Sequence, residues 1–565
     1  MQSKFLMPIL ALGSSLIVAS CVSIQGRVPA NSGDERLTLR EMQILSKDAT
    51  FKFFKGDATK SQAQAFVLSE AEKNELPAAL NKLRRILHKP MIDNSISVDE
   101  NFNQTGVDRT DGKKEVRLTS WNIERGQQLD EIKQIMSLRE NGRCSLGRAE
   151  TALPWRRDSK DKTILDTDKK QRALEEACAL NESDVLILNE VDDGICRSGY
   201  HAVASELAQH LGMNYVFAPQ FFEAEPGKTG LAPAQSEYCK QENLNLTKNL
   251  TGNAILSRYP ISNVKVVPLP IGYITKDGKP ARKDQHDAYC YVWYSDEIKG
   301  PTLVDKGVQQ GAKIVFNEEI GRELRYGSRN AIIADVLLPG GIVTVVGAHL
   351  ENKAKPSCRQ AQMRYLLNQI NSNHPVVIGG DMNTTGSDGG HRSLAKTIWD
   401  TTIAQTVESH GFWFRVFDLS VPYLSPGITA GKTAFSKLTL TQNPTRVDIK
   451  WLRPNSEGHL FSYMKDQGFV FKGDSNKSVS GKDEGPWSTT NARDKMGFEG
   501  THYLNRTFGV EGISKLDWFF VKTNGDKCFQ SKYPRTLGRL HEGIGAKEFP
   551  SDHVPITLLL DAPCQ

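Results

Sequence analysis

None of the nine cysteines in this 565-residue chain forms a Cys-X-X-Cys pair, which argues against a structural zinc site. No stretch after residue 21 reaches the roughly 20 consecutive apolar residues a bilayer-spanning helix needs. There is no internal repeat and no low-complexity tract, so solenoids and fibrous arrays are excluded. Long basic runs interleaved with aromatics are also missing. With a formal net charge of only +5, charge neither demands nor excludes a polyanionic partner. What is present is 39% hydrophobic and 24% charged residues, the balance of a soluble globular protein with no shortage of core.

The amino terminus is specific. Lys4 precedes an apolar run from Phe5 to Val18, followed by Val18-Ala19-Ser20-Cys21. This resembles a bacterial lipoprotein signal: residues 1–20 would be removed and Cys21 would become the lipidated first residue. The expected address is the bacterial cell envelope, exported, tethered to membrane by lipid and facing the periplasm or exterior. The remaining cysteines, Cys144, Cys178, Cys196, Cys239, Cys290, Cys358, Cys528 and Cys564, are even in number, which suggests disulfides and leaves their pairing open.

Residues 21–115 read as stalk and linker around one docking helix. Leu76, Leu80, Leu83 and Leu87 recur at helical spacing, and Pro77 suits a first turn. From Val116 the texture changes to strands whose ends carry polar groups. Val116–Trp121 runs into Asn122 and Glu124, and Asp184–Asn189 into Glu190. Helices are expected over 172–180 and 202–211, the second stopped by Gly212. Residues 252–260 and 264–269 read as a strand pair. The runs 331–338 and 342–347 form a hairpin that delivers His349, and a helix around Met363 and Leu366 follows. The strand Pro375–Gly380 ends in Asp381 and Asn383, which period-two alternation would point to one side. Leu516–Val521 contains one acid, Asp517, and Asp552-His553 opens a last strand. Insertions are expected at about 271–328 and 384–515, the second holding Trp399, Trp413, Trp451 and Trp487.

Carboxylate and amide oxygens at so many strand ends suit a hard cation, Mg²⁺ or Mn²⁺, which takes oxygen ligands and keeps waters. The two histidines add a proton acceptor and a hydrogen-bond donor. A near-match to a Walker A loop over 427–433 has its glycines one residue too close to cradle a phosphate.

Taken in order, Trp121-Asn122-Ile123-Glu124, Leu188-Asn189-Glu190, Gly252–Pro260, Ala348-His349-Leu350, Gly379–Asn383, Leu516-Asp517-Trp518 and Ser551-Asp552-His553 resemble the endonuclease/exonuclease/phosphatase superfamily, which includes pancreatic deoxyribonuclease. The resemblance covers residues 116–563. It implies an α+β fold, a four-layer α/β/β/α sandwich of two mixed β-sheets flanked by helices, with large insertions. It implies Glu190 as principal metal ligand, with Asn122, Glu124 and Asp552 near the metal or its waters. His553 paired with Asp517 would take or orient a proton, Asp381 and Asn383 would position the attacking water and a phosphate oxygen, and His349 would donate to the phosphoryl group. Either Asp381 or His553 could be the base. Arg329 is a candidate phosphate clamp, or alternatively a surface ion pair. The implied activity is metal-dependent hydrolysis of a phosphate ester by a monomer, acting as a phosphodiesterase or nuclease. A phospholipid or inositol-phosphate hydrolase of the same fold, and a non-catalytic surface binding lipoprotein, are the alternatives.

Overall fold

Strands with apolar residues at successive positions build the centre of the molecule, because they are buried on both faces. In Val185–Asp193, Leu186 and Leu188 lie in one apolar cluster with helices, while Val185 and Ile187 lie in another with residues of a facing sheet. The structure, a computed structural model, describes most of residues 36–561. Residues 55–65, 96–107, 156–166, 225–238, 292–323, 385–456 and 472–500, with shorter gaps, lie outside the described residues.

In chain order the principal elements are α1 (Leu39–Phe54), α2 (Glu70–Ile86), β1 (Met91–Asp93), β2 (Lys113–Arg125), α3 (Thr167–Asn181), β3 (Val185–Asp193), α4 (Val203–Leu211), β4 (Asn214–Glu223), β5 (Leu250–Ser257) and β6 (Ile261–Pro268). There follow β7 (Arg325–Gly327), β8 (Asn330–Leu338), β9 (Gly341–His349), α5 (Pro356–Leu367), β10 (Val376–Asp381), α6 (Gly458–Asp466), β11 (Asp517–Lys522), β12 (Ser531–Thr536), α7 (Gly538–Ile544) and β13 (Ile556–Asp561). One sheet has the order β1-β4-β5-β3-β2-β13-β12, with β7 also on β4; the other has the order β11-β10-β9-β8-β6. Both are mixed: β2 runs parallel to β3, and β9 to β10, among antiparallel neighbours.

The sheets meet through Leu118, Ile187, Val216 and Ile255 on one side and Ile332, Val345, Val377 and Phe519 on the other. Helices α3, α4 and α7 cover the outer face of the first sheet through Leu174, Leu207 and Leu540, and α5 and α6 cover that of the second through Met363, Leu366 and Phe461. The fold is therefore a four-layer α/β/β/α sandwich.

Gly379 and Gly380 carry the tightest contact of this interior. A Cβ on Gly379 would come within 2.7 Å of the Ile187 side chain, and one on Gly380, at φ +143°, within 1.8 Å of the Ala348 carbonyl oxygen. Gly380→Ala is expected to destabilise the fold by about 3 kcal/mol or more, since neither backbone can yield without breaking the β9–β10 pairing. A urea-unfolding midpoint equal to wild type would contradict this.

Several expectations change. Residues 252–260 and 264–269 do not pair with each other: β5 lies between β4 and β3, while β6 pairs with β8 in the other sheet. Their apolar patterns specify buried faces but not partners. Residues 39–54, read within the irregular stalk, are helical, with Met42, Leu45 and Ala49 packed against α2 and against Phe222, Leu250 and Tyr326. Helix α2 begins at Glu70 rather than around Pro77. Ser69 caps it and Glu72 completes a capping box, which leaves Pro77 inside the helix. Three disulfides join Cys144 to Cys178, Cys196 to Cys239 and Cys290 to Cys358. Residues 1–20, Cys21, Cys528, Cys564, the four insertion tryptophans and residues 427–433 lie outside the described residues.

His88, just after α2, has φ +64°, and burial pushes its pKa down to about 4. Because the unfolded chain holds that proton more tightly, this contribution to stability is complete above about pH 6.5 and is lost as pH falls through about 4. Thermal melts from pH 7 to pH 4 should show His88→Asn losing less stability than wild type. An identical pH dependence would remove His88 as the cause.

Candidate active site

Strand register assembles the site. In the parallel β9–β10 pair His349 stands opposite Asp381, and in the antiparallel β10–β11 pair Asp381 stands opposite Asp517. Opposed residues share a face, so these three side chains form a row across three adjacent strands. On the first sheet Asn122 stands opposite Asn189, after which the pairing shifts. Glu124 at φ +47° and Glu190 at φ +52° occupy the left-handed region there, which non-glycine residues hold only when their surroundings over-determine it.

The loop carrying Asp552 and His553 is held to β2 and braced within itself by three bonds. Ser551 Oγ donates to the Asn122 carbonyl at 2.7 Å and accepts from the His553 N–H at 3.0 Å, and Trp121 Nε1 donates to the His553 carbonyl at 2.9 Å. Thr501 joins this loop to β11: its Oγ1 accepts from the N–H groups of Leu516 at 3.0 Å and Asp517 at 3.1 Å, and its carbonyl accepts from Val554 N–H at 2.7 Å. No local pattern marks Thr501, which falls in a part of the sequence without a strong period.

His553 Nδ1 bonds to Asp517 Oδ2 at 2.8 Å, and both are buried. Burial opposes protonation of His553, yet Asp517, with Asp381 and Asp552, raises its pKa well above the usual histidine range. Protonated His553 thus supplies the counter-charge to Asp517, whose Oδ1 has no hydrogen-bond partner among the described residues. His349 is the opposite case. Arg329 Nη1 donates to its Nδ1 at 2.8 Å, and since a guanidinium cannot accept, the ring proton must sit on Nε2. Burial and the Arg329 charge hold the His349 pKa well below its ordinary value, so the ring is neutral. Its Nε2 lies 3.5 Å from Asp381 Oδ2, and His553 Nε2 lies 3.8 Å from the same oxygen.

Asp381 therefore sits between a neutral and a charged imidazole. Its Oδ2 accepts from Asn122 Nδ2 at 3.2 Å and its Oδ1 from Asn383 N–H at 2.9 Å. Burial, with Asp517 and Glu190 nearby, pushes its pKa up to about 6 against the opposing pull of His553. Asn383 lies beyond the strand, so alternation does not place it. The strand stops at Asp381, Asn383 turns at φ +50°, and its Nδ2 donates to the Leu350 carbonyl at 3.0 Å. Arg329 is no surface ion pair: it is 3% exposed, and its contacts are the His349 ring and the face of Phe221, 5.5 Å away.

Glu190, Glu124, Asp552 and Asn122 gather beside this row. Glu124 Oε2 accepts from Asp552 N–H at 3.1 Å, and Asn122 Oδ1 from Glu124 N–H at 3.1 Å. Burial would raise the Glu190 pKa, but Arg125, 3.7 Å away, and Arg329 outweigh it and keep the carboxylate ionised. Arg125 is a contributor that sequence reasoning passed over, although it adjoins Glu124. Among the described residues no group of three or more His, Cys, Asp or Glu side chains stands close enough to form a closed metal cage. Hard oxygens on an ionised, partly exposed Glu190 still fit in kind a cation such as Mg²⁺, which binds through one or two carboxylates and keeps its waters.

Residues 119–553 match the endonuclease/exonuclease/phosphatase family. No curated protein matches the chain in sequence. Among solved structures, an endonuclease/exonuclease/phosphatase from Beutenbergia cavernae is 13% identical, with 80% of this chain and 72% of that chain covered and a TM-score of 0.34. The 3'-5' exonuclease (NExo) from Neisseria meningitidis is 12% identical, with 79% and 100% covered and a TM-score of 0.33. An endonuclease/exonuclease/phosphatase from Bacteroides vulgatus is 12% identical, with 79% and 99% covered and a TM-score of 0.29. With the match running from β2 to the histidine that pairs with Asp517, the chain belongs to the endonuclease/exonuclease/phosphatase family.

Proposed function

We propose that this chain is a divalent-metal-dependent phosphodiesterase of nuclease type, which cleaves a phosphate ester by in-line attack of water. The observation that carries the reading is Asp381, a carboxylate of raised proton affinity between neutral His349 and protonated His553. A general base works best with a pKa near the working pH, so Asp381 takes the proton of the attacking water, and His553, held charged by Asp517, acts as donor. His349 offers its Nε2–H to a phosphoryl oxygen as charge builds, and Arg329 lies behind it as a clamp for another. Asn383, with its Nδ2 committed to Leu350, keeps its amide oxygen for the water. Glu190, with Glu124, Asp552 and Asn122, would hold Mg²⁺ or Mn²⁺, which when bound stabilises charge on the phosphoryl and leaving oxygens. Anchoring of the chain through lipidated Cys21 to a bacterial cell-envelope membrane belongs to the same proposal, on the strength of Lys4 and the apolar run before Cys21.

The test uses the mature protein with a chromogenic phosphodiester, a chromogenic phosphomonoester, single- and double-stranded DNA and a phospholipid, each with Mg²⁺ and with chelator. Diester and DNA turnover abolished by chelator is the expected result. Turnover of the phospholipid alone would transfer the reading to the lipid branch, and turnover insensitive to chelator would sink the metal requirement.

A further inference from the structure

A line of buried hydrogen bonds leads from the active site to the segment that precedes the catalytic body. The Asp381 N–H donates to Asn189 Oδ1 at 2.9 Å, Asn189 Nδ2 donates to Asn253 Oδ1 at 2.9 Å, and Asn253 Nδ2 donates to Asn330 Oδ1 at 3.2 Å. Gln220 Nε2 also donates to Asn330 Oδ1, at 3.2 Å. Two donors on that oxygen fix the Asn330 amide, so its Nδ2 faces the Pro219 carbonyl at 3.2 Å and His88 Nδ1 at 3.1 Å. His88 Nδ1 is therefore an acceptor, and its Nε2 meets Ser328 Oγ at 3.4 Å. Asn189, Asn253 and Asn330 are fully buried, so a break in this line would leave polar groups without water to replace the lost partner.

The two residues bonded to the His88 ring flank Arg329. That arginine supports neutral His349, and its backbone carbonyl accepts from Leu269 N–H at 2.7 Å. Helix α1 grips β7, just before Ser328, through the hydrogen bond from Tyr326 to Asp48. His88 itself is tied down by its own N–H, which donates to the Pro219 carbonyl at 2.9 Å.

We propose that the helical segment before the catalytic body is a positioning element of the active site, in which His88 holds Ser328 and Asn330 on either side of Arg329 and, through Asn253 and Asn189, steadies the backbone of Asp381. The kinetic half of this inference rests on the proposed phosphodiesterase reading; the structural half does not. His88→Leu keeps bulk but removes the acceptor. His88→Asn restores an acceptor near the Nδ1 position, and asparagine tolerates the left-handed backbone found there. Leu83→Ala, which opens the α2 core without touching the hydrogen-bond line, is the control for generic loosening.

Hydrogen exchange is read over segments 325–331 and 376–383 without substrate, together with steady-state kinetics on the phosphodiester. His88→Leu should speed exchange in both segments and raise KM about fivefold, the size of one lost hydrogen bond, with kcat changed less than about threefold. His88→Asn should restore both readouts. Unchanged exchange in His88→Leu, failure of His88→Asn to restore it, or the same pattern from Leu83→Ala at equal loss of Tm would overturn the proposal. If His88→Leu does not fold, Ser328→Ala, which removes one contact of the grip, takes its place with the same criteria. A wild-type protein without phosphodiesterase activity would defeat the functional reading while the exchange arm still decides the positioning role.

Discussion

Replacing His553 by alanine is expected to lower kcat by about two to four orders of magnitude, the range for a lost proton donor or acceptor in the transition state. The same change should also destabilise the protein. Asp517 is fully buried and, among the described residues, its Oδ2 bonds to no side chain but His553, through Nδ1, and its Oδ1 has no hydrogen-bond partner. Removing the imidazolium leaves a buried carboxylate without counter-charge, which costs on the order of 3–5 kcal/mol. The two effects separate in the double variant His553→Ala/Asp517→Asn, which should regain much of the lost stability and none of the activity. Urea-unfolding midpoints and single-turnover rates measured on the three proteins decide the matter. Near wild-type turnover in His553→Ala would show that the histidine only balances Asp517. Asp517→Asn alone should also be slow, because the amide cannot hold the imidazole charged.

Glu190→Ala is the second large effect. Its carboxylate is held ionised by Arg125 and Arg329 and is turned out of the strand by a left-handed backbone. The variant should lose about a thousandfold in kcat/KM at fixed Mg²⁺, corresponding to about 4 kcal/mol of transition-state stabilisation. A Mg²⁺ titration should show its activation midpoint moved upward by more than about tenfold, a shift that a folding defect would not produce. An unchanged midpoint would mean that another oxygen, from Glu124 or Asp552, is the principal ligand. Glu190→Gln should fall between alanine and wild type, since an amide oxygen ligates without charge.

Much of the site was legible in the sequence because strand ends announce themselves. Apolar runs leading into Asn122, Glu190, His349 and Asp381 are local patterns, and each forms a strand: His349 and Asp381 end theirs, while the strands of Asn122 and Glu190 continue to Arg125 and Asp193. Gly379 and Gly380 were legible as a place of close approach, and the structure shows what approaches: Ile187, Phe519 and the Ala348 carbonyl. Asn383 is placed by a turn rather than by alternation, because the strand stops at Asp381. The separate sheets of β5 and β6 were beyond pattern reading, since an apolar face does not name its partner. Helix α1 escaped notice because its buried apolar residues, Met42, Ile44, Leu45 and Ala49, stand amid polar sequence, and polar Asp48 and Thr50 are buried beside them.

By itself the sequence determined the family, the central strands that lead into the site and the polar residue types they carry, because these are written in local periodicity and short motifs. The protonation states were decided only by tertiary structure. His349 is neutral because it is buried and Arg329 donates to its Nδ1; His553 is charged because Asp517 faces it; and Asp381 is shifted upward because it is buried with Asp517 and Glu190 nearby, against the opposing pull of His553. Burial and through-space charge set these states. Tertiary structure alone also brought His88 to Asn330, 242 positions away in the chain, and so joined the leading helices to the site.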